Sequence, residues 1–482
     1  MRAPTSQPKK PGLKRAWYRR PATLAAMAAL VGIESILFAF GMKLKSNLLT
    51  MAVYQGIEGE SLKRVADRFS EQTGTRVAIL SFPYDELYEQ ETLSLAAPRG
   101  NRLSRFDVIM LDDPWLEGLL AAGNSPSGSP LPLSQLPSPG QVDREDFFPS
   151  CLRVGQHPYC TDARSPCPSP YYALPIEGNA PLFCYRGPAG SQPPSTWDQI
   201  AGLPEKAGDR TGNAAQNRSA SKPSYAMRLG QGNSIVTDFI PMLWASDPGG
   251  PLDPGSFGPT ARAPLKPKTR EAFLQLAELS ANRNFGSGSL DDFDLAVFML
   301  DGKATTSIMW SAYAMALANL KSGPDAMNGL QFAVVPGAPV LGAWLLAAPA
   351  NREPAQQDLA KGFIAFATSR DQLAKAAVQG NPPPRRSVLT SRDFGGQYPG
   401  SVAAQRQSLE KTMPRPRWPD WKQVECRIGA SLADLTAGLI GPDAALDEIN
   451  HAIGHAPDYQ SGAGRPSGCA SRTVPDGNAP QP

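Results

Sequence analysis

The chain has 482 residues, and its 44 Gly and 49 Pro make about a fifth of it backbone specialists, against about 12% in average proteins. A hydrophobic content of 41% and a charged content of 19% are globular values, and at roughly 100–200 residues per domain the chain holds two or three folding units. A collagen repeat, a heptad array and a polytopic membrane protein are excluded. The formal charge of +3 is uneven: basic side chains crowd residues 1–45 against a single Glu34, so the remainder is net acidic. A nucleic-acid partner would want a basic face on the folded part, and so loses its support.

The N-terminus is a basic stretch, Pro21, and an apolar run from Ala22 to Met42 broken only by Glu34 and Ser35. Positive charge ahead of the run places the N-terminus in the cytoplasm and predicts export of the rest of the chain. Ala22–Met42 just meets the ~20 apolar residues of a membrane anchor. Ala39 and Gly41 equally offer the small residues of a cleaved signal, and both readings stand. Six cysteines in an exported chain are disulfide candidates. Cys160 with Cys167 is the expected local staple, Cys426 with Cys469 a tie for the tail, and Cys184 a buried free thiol. With Cys151 as the first cysteine, no lipid-attachment site follows the apolar run. The lack of any CxxC spacing leaves zinc and thioredoxin-type chemistry weak.

After the leader, Leu49–Gln55 reads as a buried strand. Leu62, Val65, Ala66 and Phe69 follow at helical spacing, closed by Gly74. Arg76–Phe82 reads as a strand, Tyr84–Ala97 as a helix, and Phe106–Leu111 as a continuous apolar strand running into Asp112 and Asp113. That alternation is an α/β parallel-sheet signature, in which ligands sit beyond the carboxyl ends of the strands. Stretches 124–141 and 205–224 read as loops. Tyr171–Tyr185 is extended, with a polar Glu-Gly-Asn at its middle. Lys268–Asn284 and Phe293–Leu300 are predicted helices, Thr305–Trp310, Leu330–Pro336 and Val340–Ala348 strands, and Leu359–Gln379 one long helix. Further helices run through Val424–Gly454, and residues 459–482, rich in Gly, Pro and Ser, read as a disordered tail.

Three histidines limit catalysis. His157 lies in the cysteine loop, and His451 with His455 reads as a solvated helix face, since no third metal ligand accompanies the pair. No GxSxG, HExxH, Walker loop or post-strand GxGxxG is present, so no catalytic, metal or cofactor residues are assigned. What the chain offers instead is aromatics and carboxylates at strand ends: Asp112 and Asp113, Trp310 and Tyr313, and Trp344. Such a mixture suits sugars, with rings against the C–H face and carboxylates on the hydroxyls.

The segments VYQGIEGESLKRVADRFSEQTGTRV, RFDVIMLDDPWLEGLLAAG, YYALPIEGNAPLFCYR, PPSTWDQIAGLP, DGKATTSIMWSAY, VLGAWLLAAPANREPAQQDLAKGFIAFATS and GNPPPRRSVL occur in this order. In that order they resemble family 1 extracellular solute-binding proteins, the sugar-binding subunits of ABC importers related to maltose-binding protein. The resemblance implies a two-lobed α/β fold of the periplasmic-binding-protein type II class, with a hinge between lobes. Lobe 1 would be 46–178 with 335–390, and lobe 2 would be 186–330 with 392–458. It implies ligand contacts from Glu177, Asp112, Asp113, Trp310, Tyr313, Trp344, Arg386, Gln231 and Asn233, with Gln55 and Glu58 in the loop after the first strand.

The expectation is a monomeric, non-enzymatic receptor outside the cytoplasmic membrane, without a cofactor, that passes a carbohydrate to ABC permease subunits. If residues 22–42 stay uncleaved, they tether it to that membrane. A tethered solute sensor of the same fold is the second reading. A glycoside hydrolase pairing Asp112 or Asp113 with Glu177 is the third.

Overall fold

The computed structural model describes residues 47–122, 130, 132–133, 143–159, 169–188, 190–201, 225–229, 232–250, 252, 262–281, 290–320, 329–398 and 400–454. The apolar run 22–42, the loop 205–224, Gln231, Cys160, Cys167, Cys469, His455 and the tail 459–482 lie outside the described residues. Among the described residues, no helix is long and apolar enough to cross a membrane.

The chain begins with β1 (Leu48–Tyr54) and α1 (Ile57–Thr73). Leu62, Val65, Ala66 and Phe69 form the buried stripe of α1. The helix stops at Gly74, whose φ of 73° is the left-handed conformation that glycine adopts without a Cβ penalty. Then come β2 (Arg76–Phe82), α2 (Tyr84–Ala96), the fully buried β3 (Val108–Asp112) and α3 (Leu116–Ala122). The middle of the chain supplies β4 (Ala173–Pro175), β5 (Pro181–Arg186), β6 (Tyr225–Ala226), α4 (Asn233–Ser246), α5 (Arg270–Ala281) and α6 (Asp292–Leu300). After these come β7 (Thr306–Trp310), α7 (Ser311–Leu320), β8 (Leu330–Val334) and β9 (Trp344–Ala347). Five longer helices follow: α8 (Pro354–Ala367), α9 (Arg370–Ala377), α10 (Val402–Lys411), α11 (Trp421–Thr436) and α12 (Pro442–Gly454).

The strands form two sheets. The first has the order β2-β1-β3-β9-β4, with β1 and β3 parallel and β9 antiparallel to both β3 and β4. Its register sets Asp112 opposite Trp344. The second has the order β6-β7-β5-β8, with β5 antiparallel to β7 and β8 and with Pro181 opposite Trp310. Both sheets are therefore mixed, not parallel throughout. The chain passes from the first sheet to the second between β4 and β5, and returns between β8 and β9.

Each sheet has its own core. Val53, Leu62, Phe69, Leu111, Leu345 and Phe363 pack the first. Phe183, Phe239, Ile308, Trp421, Val424 and Ile428 pack the second. Phe394, Tyr398 and Leu409 belong to the first core, while α10 also packs against β5 and β8.

Three expected elements come out differently. The single helix Leu359–Gln379 is two, because the Ser369 hydroxyl caps α9 by accepting from the Gln372 N–H. The strand Val340–Ala348 shortens to β9. Ahead of it, the Leu341 N–H is taken by the Met413 carbonyl and the Gly342 N–H by the Asn179 carbonyl. The extended stretch Tyr171–Tyr185 splits at Glu177-Gly178-Asn179 into strands of different sheets. Cys184 is a buried free thiol, as expected, and so is Cys151. Cys426 is disulfide-bonded, to a partner outside the described residues.

Candidate functional site

Strand ends and helix starts from both sheets converge on one cleft. Its wall is built from Tyr54 at the end of β1, Glu58 in the first turn of α1, Tyr84 at the start of α2 and Asp112 at the end of β3. Asn179 and Gly342 join it from the crossing segments, Asn233 and Asp292 from the starts of α4 and α6, and Trp310, Tyr313 and Trp344 from β7, α7 and β9. Arg415 reaches in from the segment between α10 and α11. The space is narrow: a water-sized sphere can be centred in about 60 Å³ of it, room for a few waters.

Six expected residues thus meet in one place: Glu58, Asp112, Asn233, Trp310, Tyr313 and Trp344. Asp113 lies behind the wall, wholly buried, and so does Glu177. Gln55 is exposed, with its backbone N–H donating to the Phe82 carbonyl. The structure does not bring Arg386 to the cleft. Its side chain is exposed, with the guanidinium over the Phe148 ring at 5.5 Å. Its neighbour Arg385 is the buried one, donating to the carbonyls of Thr368 and Asp143. Gln231 lies outside the described residues.

The aromatic side of the cleft is more self-contained than the sequence implies. Tyr54 stacks on Trp344 with ring centroids 5.1 Å apart and 10° between planes. Trp115 meets Trp344 edge-on at 5.8 Å. The backbone of Gly342 lies across Trp310, and a Cβ there would fall 2.7 Å from its ring, so only glycine fits. Arg228 sits over the same ring at 5.4 Å. Both tryptophans are therefore largely covered by protein, and the cleft rings left partly exposed are Tyr54, Tyr84 and Tyr313.

Asp112 is the best-connected carboxylate. It accepts from the Tyr84 hydroxyl at 2.5 Å, from Arg415 Nη2 at 2.5 Å and from the Asp113 N–H at 2.9 Å. Arg415 Nη2 also donates to Asp113 at 2.7 Å. Burial pushes the Asp113 carboxyl up to about 7 despite the guanidinium. Asn233 Nδ2 bridges Tyr84 Oη at 3.1 Å and Glu425 Oε1 at 3.0 Å, and burial raises Glu425 too. Arg228 pairs with Asp238 and with Asp292, the latter at 2.7 Å. Burial raises Glu58 to about 7. It raises Glu177 well above the usual carboxylate range, helped by the nearby Glu58 and Asp112. Among the described residues, neither oxygen of Glu177 has a hydrogen-bond partner.

Sequence reasoning missed Tyr84, Asn179, Asp292 and Arg415 as wall residues. The strand-end rule that found Asp112 also points to Tyr84, two residues after β2, and Asn179 belongs to the Glu-Gly-Asn interruption. Arg415 had no such signal, because Met413-Pro414-Arg415-Pro416-Arg417 reads as linker. Among the described residues, no group of three or more His, Cys, Asp or Glu is placed to hold a metal ion.

A family model described as bacterial extracellular solute-binding protein matches residues 55–374, about two thirds of the chain. The chain belongs to this family. Among characterised sequences it is similar to a probable amino-acid ABC transporter periplasmic-binding protein, y4oP, of Sinorhizobium fredii. The two are 22% identical over 416 residues, spanning 85% of this chain and 88% of the relative. Among solved structures, a solute-binding protein of Agrobacterium radiobacter in complex with ribitol superposes with a TM-score of 0.66 at 19% identity, covering 84% of this chain and 97% of that one. Maltose-bound MalE3 of T. maritima gives 0.65 at 19% identity, covering 84% and 99%. A solute-binding protein of Agrobacterium vitis with bound D-mannitol gives 0.64 at 20% identity, covering 84% and 97%. These likenesses give the fold of this family member as that of two-lobed solute-binding proteins.

Proposed function

We propose that the protein is a non-enzymatic receptor of an ABC importer, outside the cytoplasmic membrane, which captures a small carbohydrate or polyol in this cleft. It would then present the solute to the permease subunits. The observation that carries the reading is the cleft itself: tyrosines, amides and carboxylates from both sheets face one small space, in a chain of the solute-binding family. Relatives of the same fold hold ribitol, maltose and D-mannitol. Hydroxyls of such solutes are received by carboxylate and amide groups, and their C–H faces by Tyr54 and Tyr313. Ligand affinity that is higher for the closed arrangement drives closure. The lobes of this reading are 46–178 with 335–390, and 186–330 with 392–458, of which Phe394, Tyr398 and Leu409 pack into the first core.

Two further observations shape it. An α-amino acid, suggested by the name of the y4oP relative, needs a cation for its carboxylate. Among the described residues, the one guanidinium in the wall, Arg415, is already bound to Asp112 and Asp113. A glycoside hydrolase needs two carboxyls free to reach the scissile bond. Asp113 and Glu177 are wholly buried, and Asp112 is held by Tyr84 and Arg415. The run 22–42 either anchors the receptor or is removed on export, and the mass of the exported protein distinguishes the two.

The test is a thermal-shift and calorimetric screen of sugars, polyols and amino acids. Saturable binding of a polyhydroxylated solute without turnover supports the receptor. No binding of any sugar or polyol contradicts it, and loss of uptake on deleting the protein separates importer from sensor.

A further inference from the structure

Resting on the receptor reading, the charge balance of the cleft narrows the class of solute. Among the described residues, three carboxyls stand in its wall, Glu58, Asp112 and Asp292, against one guanidinium, Arg415. Asp112 is paired with Arg415 at 2.5 Å, and Asp292 with Arg228 at 2.7 Å. Among the described residues Glu58 has no such cation. It is 3% exposed, and its Oε2 has no hydrogen-bond partner there. The carboxyls of Asp112, Asp292 and Glu177 lie within electrostatic reach of it, as do the hydroxyls of Tyr54 and Tyr313. Arg228 acts on both tyrosines but is held by Asp238 and Asp292, and Arg415 is held by Asp112 and Asp113.

A carboxyl oxygen that lines a cavity, shielded from water and without a donor, carries an unrecovered desolvation cost. A ligand that supplies the donor recovers that cost, and a cationic donor recovers more. We propose that the solute is a polyhydroxylated cation, an amino sugar or amino alditol, whose protonated nitrogen sits against Glu58 while its hydroxyls face Tyr84, Asn179 and Asn233. Burial pushes the Glu58 carboxyl up to about 7, so it is only partly ionised near neutral pH. An ammonium beside it draws the carboxyl into its ionised form, so binding near that pH releases a proton to the buffer. A neutral polyol has no such effect.

The experiment is calorimetry on the full-length protein, near the pH at which Glu58 half-titrates. The panel holds neutral and aminated hexoses, pentitols and hexitols in matched pairs, such as D-glucose with D-glucosamine and D-sorbitol with 1-amino-1-deoxy-D-sorbitol. Each titration is run in two buffers of different ionisation enthalpy. The expected result is an aminated member binding about tenfold to a hundredfold tighter than its neutral mate, with proton release. Glu58→Gln removes that preference and Glu58→Asp keeps it; the wild-type comparison stands even where a variant fails to fold. A neutral solute binding as tightly as its aminated mate overturns the cation assignment and leaves the receptor reading intact. No binding by any member of the panel overturns the cation assignment, and the receptor reading falls only if the wider sugar and polyol screen fails as well.

Discussion

Lys422 on α11 holds its ammonium 2.5 Å from Asp85 Oδ1 on α2, and the same ammonium lies 4.5 Å from the centre of the Tyr84 ring. Helix α2 packs into the first core and α11 into the second, so the pair ties the two walls of the cleft together. Asn233 adds a neutral tie through its hydrogen bond to the Tyr84 hydroxyl. Asp85 is half exposed, and a screened pair of this kind is worth about 0–1 kcal/mol.

Lys422→Met should therefore weaken solute binding only about two- to fivefold, and should enlarge the radius of gyration of the unliganded protein in X-ray scattering. An unchanged affinity together with an unchanged radius would show that the pair does not hold the walls together.

Arg415 is the costlier residue to lose. Its replacement by Met leaves Asp112 and Asp113 buried without their cation, and breaking a buried pair costs about 3–5 kcal/mol. Urea unfolding should register that loss, and Asp112→Asn with Asp113→Asn in the same chain should restore most of it. A single Arg415→Met variant as stable as wild type would contradict the electrostatic role assigned to the bridge.

Tyr54 separates binding from folding. Its ring is partly exposed and stacks on Trp344, a contact worth about 0.5–1.5 kcal/mol beyond area burial. Tyr54→Leu is expected to fold with a small drop in melting temperature, yet to lose about tenfold or more in affinity by calorimetry. Trp344→Ala, by contrast, removes a core side chain and should cost about 3–5 kcal/mol of stability. Equal losses of affinity and stability in both variants would remove the distinction.

Glu58 also gives a stability signature. Its carboxyl moves from an ordinary value of 4.5 to about 7 on folding, because burial disfavours the charge. Such a group favours the native state at low pH, and that contribution is lost as pH rises from about 4.5 to about 7. Glu58→Gln has no charge to bury, so it should gain on wild type by about 3 kcal/mol as pH climbs through that window. Denaturant titrations at acid and mildly alkaline pH check this. Parallel pH profiles for the two proteins would show that folding does not desolvate Glu58.

Much of this was legible in the residues. Periodicity located β1, α1, β2, α2 and β3, and the rule that ligands gather beyond strand ends led to Glu58, Asp112, Trp310, Tyr313 and Trp344. Residues whose role depends on pairing across the sheets were not legible. Arg415 meets Asp112 some 300 positions away, in a Pro-flanked stretch with no local pattern of its own. Arg386 lies away from the cleft because the turn buries Arg385 against the Thr368 carbonyl and leaves its neighbour exposed, a choice between adjacent arginines that no local pattern shows. The tryptophans looked like open platforms because a sequence does not show that Tyr54 covers one of them and Gly342 the other. The helix over 359–379 read as continuous because its apolar period carries straight through Ser369, where a side-chain cap outweighs it.

Capture of the solute between the two walls is decided by a crystal structure of the complex with the tightest-binding solute. Density for that solute is expected to be bounded by Tyr54, Glu58, Asp112, Asn233 and Tyr313, with Arg415 still bridging Asp112 and Asp113. A solute bound elsewhere on the molecule, with this cleft holding only water, would contradict it.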